Sequence, residues 1–201
     1  MAKRGNALFK SVCLGKCKSR DLPKRLNLTG IAPEMNRLWD ASVRELASGV
    51  VREHAALLVW ERERLRLTNI VEGADDEVVP EYELTSEQHF VGTFHTYPYV
   101  TGKMGIAFSG MDIASAIADG ENLSIVHSGN QIAALVRTEF TPKIVDEKAI
   151  LKHEDELLWF HRDTILTPQT ILKINLIFCK QYNLGYYLGN ITGQLRLRFQ
   201  P

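Results

Sequence analysis

The sequence predicts a mixed α/β (α+β) fold in which helices pack on a modest β-sheet. Three observations lead there. Several apolar or alternating runs have strand length, several longer segments repeat their apolar residues at helical spacing, and the two kinds are interleaved along the chain. No internal repeat and no low-complexity segment interrupts them.

The elements follow in order. Pro33 suits a first helical turn. From Glu34 the apolar positions Leu38, Trp39, Leu46 and Val50, with Val43 near the same stripe, predict a helix ending near Gly49. Ala55-Ala56-Leu57-Leu58-Val59-Trp60 reads as a buried strand, Glu61-Arg62-Glu63-Arg64 as a charged hairpin turn, and Leu65 to Ile70 as a second strand. Residues 72–88 are acidic and loop-like, with Gly73, Asp75, Asp76 and Pro80. Phe90 to His95 is a third strand, followed by a loop with Gly102 and Gly105.

Ser109 is a good N-cap for a helix through Ile113, Ala114, Ala116 and Ile117, with Asp112 where a negative charge suits the helix dipole. Asp119-Gly120 stops it. Leu123–Val126 and Ile132–Arg137 pair through Ser128-Gly129-Asn130. Residues 147–160 and 168–182 are helical, Thr167-Pro168 opening the second. Gly185 and Gly189 read as a break before a last strand from Leu195 to Phe199.

Composition bounds the class. The 201 residues are 45% hydrophobic and 24% charged, as in ordinary globular proteins, and are enough for one domain with a core. No apolar run reaches ~18 residues, so no membrane span is expected, and no secretory signal is visible. Cys13, Cys17 and Cys179 are too few for a disulfide framework and fit a reducing cytoplasm. Cys13 and Cys17 lack a second Cys/His pair to complete a metal site, so they read as two thiols in a flexible arm.

Net charge is zero but uneven: residues 1–28 hold eight Lys/Arg and one acid, leaving the remainder at −7. With little aromatic interleaving, this basic arm reads as a tail or a protein contact rather than a nucleic-acid binder. The expected organisation is a basic arm over 1–30, a core domain over 31–140 and a C-terminal helical extension over 141–201 that packs on the core.

One constellation carries chemistry. Residues two apart on a strand share a face, so a His-x-His pair at a strand end can offer two imidazoles to one zinc. An aspartate from the first turn of a following helix can be a third ligand, and water completes the tetrahedron. Val91-Gly92-Thr93-Phe94-His95-Thr96-Tyr97-Pro98, then Ser109-Gly110-Met111-Asp112, with Glu53 ahead of the first strand, resembles the signature of the JAMM (MPN-type, JAB-like) zinc metallopeptidases. That signature is His-x-His-Pro, a loop, then Ser-x-x-Asp, with a glutamate on an earlier strand. The resemblance spans roughly residues 35–140.

The resemblance implies a curved mixed β-sheet flanked by helices, of cytidine-deaminase-like architecture. It implies zinc held by His95 and Asp112, with Tyr97 at the third ligand position where the family has its second histidine. It implies Glu53 as general acid/base and Ser109 as oxyanion stabiliser. The family hydrolyses peptide or isopeptide bonds, often removing ubiquitin or ubiquitin-like modifiers, and some members are metal-free scaffolds. The expected function is therefore a zinc isopeptidase or deubiquitinase-like hydrolase with a protein or peptide substrate. The alternative is an inactive, protein-binding relative, which Tyr97 favours because a phenol binds zinc well only after losing a proton of pKa ~10.

The remaining residues have plainer readings. His89 is six residues before His95, ~20 Å along an extended strand. His127 can approach the pocket but reads first as a structural histidine. His153 and His161 are expected to face solvent, and Trp39, Trp60 and Trp159 to be core or interface anchors.

Overall fold

Among the described residues, eight strands form one sheet in the order β1-β8-β7-β6-β5-β4-β2-β3. The structure is a computed structural model and describes residues 2–73, 80–98, 108–160 and 168–201. The elements are α1 (Ala2–Cys13), β1 (Arg25–Asn27), α2 (Ala32–Val43), β2 (His54–Glu61), β3 (Arg64–Glu72), β4 (His89–Thr96), α3 (Gly110–Ala118), β5 (Leu123–Ser128), β6 (Gln131–Val136), α4 (Glu147–Phe160), α5 (Pro168–Tyr182), β7 (Gly185–Asn190) and β8 (Gln194–Phe199). The loop with Gly102 and Gly105, Asp75, Asp76, His161 and Thr167 lie outside the described residues.

Neighbouring strands are antiparallel except β4 and β5, which run parallel with α3 as the connecting helix. Strand alternation sorts the side chains onto two faces. Ile125, Ala134 and Tyr187 join α1 and α2 in one core. Their neighbours Val126, Ala133, Leu135 and Tyr186 join α3, α4 and α5 in a second core on the other face. Both faces are covered, which explains why β5 and β6 read as near-continuous apolar runs.

The β2–β3 hairpin turns through Arg62 and Glu63 with φ of 47° and 62°. Two left-handed residues give a turn whose twist matches the flanking strands. A bulge follows between Ala55 and Leu57, with Asn69 opposite at φ 50°. The Asn69 amide donates to the carbonyls of Glu81 and Glu83 at 2.8 and 3.1 Å, so the acidic loop is anchored to β3.

Two expectations change. The N-terminal segment is not a flexible tail. Val12, Cys13, Leu26 and Leu28 are at most 1% exposed in the first core, and β1 pairs with β8. Its charges mislead because Lys16, Lys18, Arg20, Lys24 and Arg25 point outward while alternate apolar residues point in. The C-terminal segment is not only helical: Gly185 and Gly189 lie within strand β7, which is inserted between β6 and β8. A Cβ on Gly189 would sit 2.3 Å from the Gln194 carbonyl oxygen, and one on Gly185 would sit 2.7 Å from Leu22. These glycines serve close approach rather than a chain break. Trp159 is 65% exposed and so is not a core anchor, whereas Trp60 packs edge-on against Phe9.

Candidate active site

His95 stands near the end of β4, paired with Ala55 of β2 on one side and Val126 of β5 on the other. Strand parity puts Thr93 and His95 on the α3 face, and Phe94 and Thr96 on the α2 face. Glu53 and Ala55 share the α3 face by the same rule. The outcome is a pocket of about 530 Å³ lined by Glu53, His95 and Asp112, with Thr93, Glu121 and Tyr82 at its other end.

Asp112 is placed by the helix that carries it. Ser109 Oγ accepts the Asp112 N–H at 3.1 Å, and Asp112 Oδ2 accepts the Ser109 N–H at 2.7 Å, so both halves of a capping box are present. Glu154 of α4 accepts the Gly110 N–H at 2.7 Å, closing the same helix end from outside. Burial pushes the Glu154 carboxyl above its ordinary value, tempered by that N–H. Gly110 must be small here, because a Cβ would lie 2.7 Å from Glu154 Oε2.

The box leaves Asp112 Oδ1 turned toward β4, 3.5 Å from His95 Nε2. Two tetrahedral zinc ligands, each ~2.0 Å from the metal, stand ~3.3 Å apart. The spacing of this pair therefore fits joint ligation as well as a direct ion pair. A third ligand is harder to find. Tyr97 continues the ladder by donating its N–H to the His127 carbonyl at 2.8 Å, but its ring packs against the apolar core beneath α3 and α5. The ring centroids of His95 and Tyr97 are 6.3 Å apart. Among the described residues, no cluster of three or more His, Cys, Asp or Glu side chains could hold a metal ion. Among the described residues, His95 and Asp112 are the two brought to the spacing of joint zinc ligands.

Ser109 is committed elsewhere. Its hydroxyl donates to Asp112 Oδ2 at 2.8 Å, and it is absent from the described pocket lining. In this arrangement Ser109 orients Asp112. Glu53, 7% exposed, and His54 are both buried.

The strand ends are held from the opposite face. Thr96 Oγ1 accepts the His54 N–H at 2.9 Å, and Ser42 Oγ of α2 lies 2.7 Å from Thr96 Oγ1 and 2.8 Å from His54 Nδ1. Burial lowers the His54 imidazole below its usual value. His127 is fully buried on that same face beneath Trp39, with carbonyls of Met35 and Gly129 at its ring nitrogens, and it does not approach the pocket. His89 is exposed at the far end of β4. His153 does not simply face solvent: it packs on Phe178 at 5.3 Å and meets Gln181.

The sequence did not signal the other end of the pocket. Glu121 follows the Asp119-Gly120 helix stop and is 5% exposed. Its Oε1 accepts from Thr93 Oγ1 at 2.8 Å. Burial pushes its carboxyl up to about 7, with the Thr93 and Ser124 hydroxyls pulling it partly back. A larger cleft of about 690 Å³ lies between α1 and the β2–β3 hairpin, with walls around Phe9, Trp60 and the Lys10–Glu63 ion pair, and among the described residues no cluster of metal-binding side chains lines it.

Comparison with known proteins adds no relative: no family model matches the chain, and no curated sequence or solved structure matches it significantly. No described helix is long and apolar enough to cross a membrane.

Proposed function

We propose that this chain is a JAMM-type zinc metallopeptidase, acting on a peptide or isopeptide bond of a protein substrate such as a ubiquitin-like modifier, with a metal site one strong ligand short. The observation that carries the reading is the meeting of Glu53, His95 and Asp112 in one pocket, with His95 Nε2 and Asp112 Oδ1 3.5 Å apart. His95 and Asp112 would hold the metal. When bound, zinc supplies a water acidified to a pKa of ~7. Glu53, buried on the same wall, is the residue suited to take and return that proton.

Tyr97 supports a second reading, a metal-free relative that binds a protein partner without hydrolysing it. Its ring packs into the apolar core, which is a structural use of the position. Zinc content measured on the purified protein separates the two. Stoichiometric zinc that disappears in His95→Ala supports the enzyme. Zinc and peptidase activity that appear only in Tyr97→His support the metal-free relative. If neither protein takes up zinc, the metal assignment fails altogether.

A further inference from the structure

β3 ends the sheet, and among the described residues no strand lies on its outer side. No backbone hydrogen bond outside its ladder with β2 reaches residues 64–72 among the described residues. An open edge of this kind is a template for one more strand. A groove of about 200 Å³ runs beside it, lined by the consecutive residues Arg64, Leu65, Arg66 and Leu67 and, across from them, by Gly30, Ile31 and Glu34 at the start of α2. Successive side chains of a strand point to opposite faces, so four in a row line one groove only where it follows the strand's edge. Gly30, Ile31, Arg64 and Leu65 also line the cleft of about 690 Å³ beside α1, so the two cavities adjoin.

The edge has two chemically distinct sides. Leu65 and Leu67 belong to the first core, and the adjoining cleft adds Leu28, Phe9 and Trp60 to that apolar side. Arg64 and Arg66 alternate with the leucines and are exposed. The acids nearby are engaged: Glu63 with Lys10, Glu34 with Arg37 and Glu61 with Arg66, at 2.6, 3.0 and 3.2 Å. Arg64 makes no hydrogen bond or ion pair among the described residues. An added strand with acids on one face and apolar residues on the other matches both sides at once. A second copy of β3 is a poorer match, because pairing the two open stretches would set arginine beside arginine.

We propose that the outer edge of β3 takes up an extended segment of a partner protein, with alternating acidic and apolar residues, as one more strand. Its backbone pairs with residues 64–67, its carboxylates lie beside Arg64 and Arg66, and its apolar side chains lie beside Leu65 and Leu67 and enter the cleft at Phe9 and Trp60. Main-chain bonds supply the affinity of such an added strand, and its alternate side chains the specificity. The groove and cleft share no lining residue with the pocket that holds His95, so the proposal stands or falls apart from the function proposed above.

The test titrates the full chain with an acetylated, amidated pentapeptide that alternates glutamate and leucine, and follows backbone amide resonances. Residues 64–67 should shift. Glutamine in place of the peptide's glutamates, or Arg64→Ala in the protein, should weaken binding about threefold. Gly30→Leu should obstruct the groove and weaken it at least about tenfold, and the fold accepts the change because a Cβ on Gly30 meets nothing within 4 Å. Only alternate N–H groups of a paired strand face its neighbour. Of two peptides, one N-methylated at its glutamates and one at its leucines, one should therefore lose about tenfold and the other bind like the parent. Equal effects of the two methylations overturn the proposal, as does binding unchanged in both Arg64→Ala and Gly30→Leu, or no shift at residues 64–67. Shifts at these residues that grow with protein concentration alone, together with a doubled mass in sedimentation, overturn it in favour of a second copy.

Discussion

Thr96 Oγ1 accepts the backbone N–H of His54 at 2.9 Å, joining the end of β4 to the start of β2 on the face opposite the pocket. Each residue is the immediate neighbour of one that lines the pocket: His54 follows Glu53, and Thr96 follows His95. A side chain that never enters the site thus reinforces the ladder that pairs Ala55 with His95. Thr96→Val keeps the shape but leaves a buried N–H and the Ser42 hydroxyl short of a partner. It should lower stability by about 1–3 kcal/mol, while Thr96→Ser retains most of it. Urea midpoints of the two variants check this, and equal midpoints would refute it.

Ser109 and Asp112 form one device, and their energetics should show it. Each alone satisfies part of the helix terminus, so Ser109→Ala or Asp112→Ala should cost about 1 kcal/mol. Because the box is reciprocal, the double variant should cost less than the sum of the singles. A double-mutant cycle in chemical denaturation measures the coupling. Strict additivity would mean that the two hydrogen bonds act independently.

Much of the fold is legible where local chemistry and tertiary demand agree. The Arg62-Glu63 turn, the apolar run of β2, the Ser109 cap and the β5–β6 pair all have local causes. Misreadings occur where a residue answers to something distant. Gly189 looks like a break until β8 crosses it, and the basic N-terminal segment looks like a tail until its apolar half meets the sheet. The same division holds at the site. Glu53, His95 and Asp112 are legible through the resemblance of their string to the JAMM signature, and strand and helix geometry then bring them to one pocket. Glu121 is not, because its placement depends on the parallel joining of β4 to β5, which brings Thr93 alongside.

The three cysteines should be slow to react. Burial raises the Cys13 thiol to about 12, and burial with the Asp21 charge raises Cys17 to about 11. Burial raises Cys179 as well. Alkylation requires the thiolate, so little reactive form exists at about pH 8 in the folded protein. Iodoacetamide labelling followed by mass spectrometry should find them largely unmodified until denaturant is added. Rapid labelling of Cys13 in the native protein would contradict its place in the first core.

Glu121 should make stability fall as pH rises. Burial lifts its carboxyl from an ordinary 4.5 to about 7, so the folded state favours the protonated form. The contribution is complete below about 4.5, declines as pH rises through the intervening range, and is gone above about 7. Its upper size is roughly 3 kcal/mol at full shift. His54 and His127 act in the other sense, since burial lowers both and their contribution is lost as pH falls below 6.5. Wild-type curves alone therefore mix opposing slopes. Glu121→Gln isolates one of them, because the amide stays neutral throughout and leaves both histidines in place. Relative to wild type, the variant should gain stability between about pH 5 and about pH 8. Urea midpoints at both values measure that difference. A constant offset between the two proteins would show that Glu121 is ionised in the fold at both pH values.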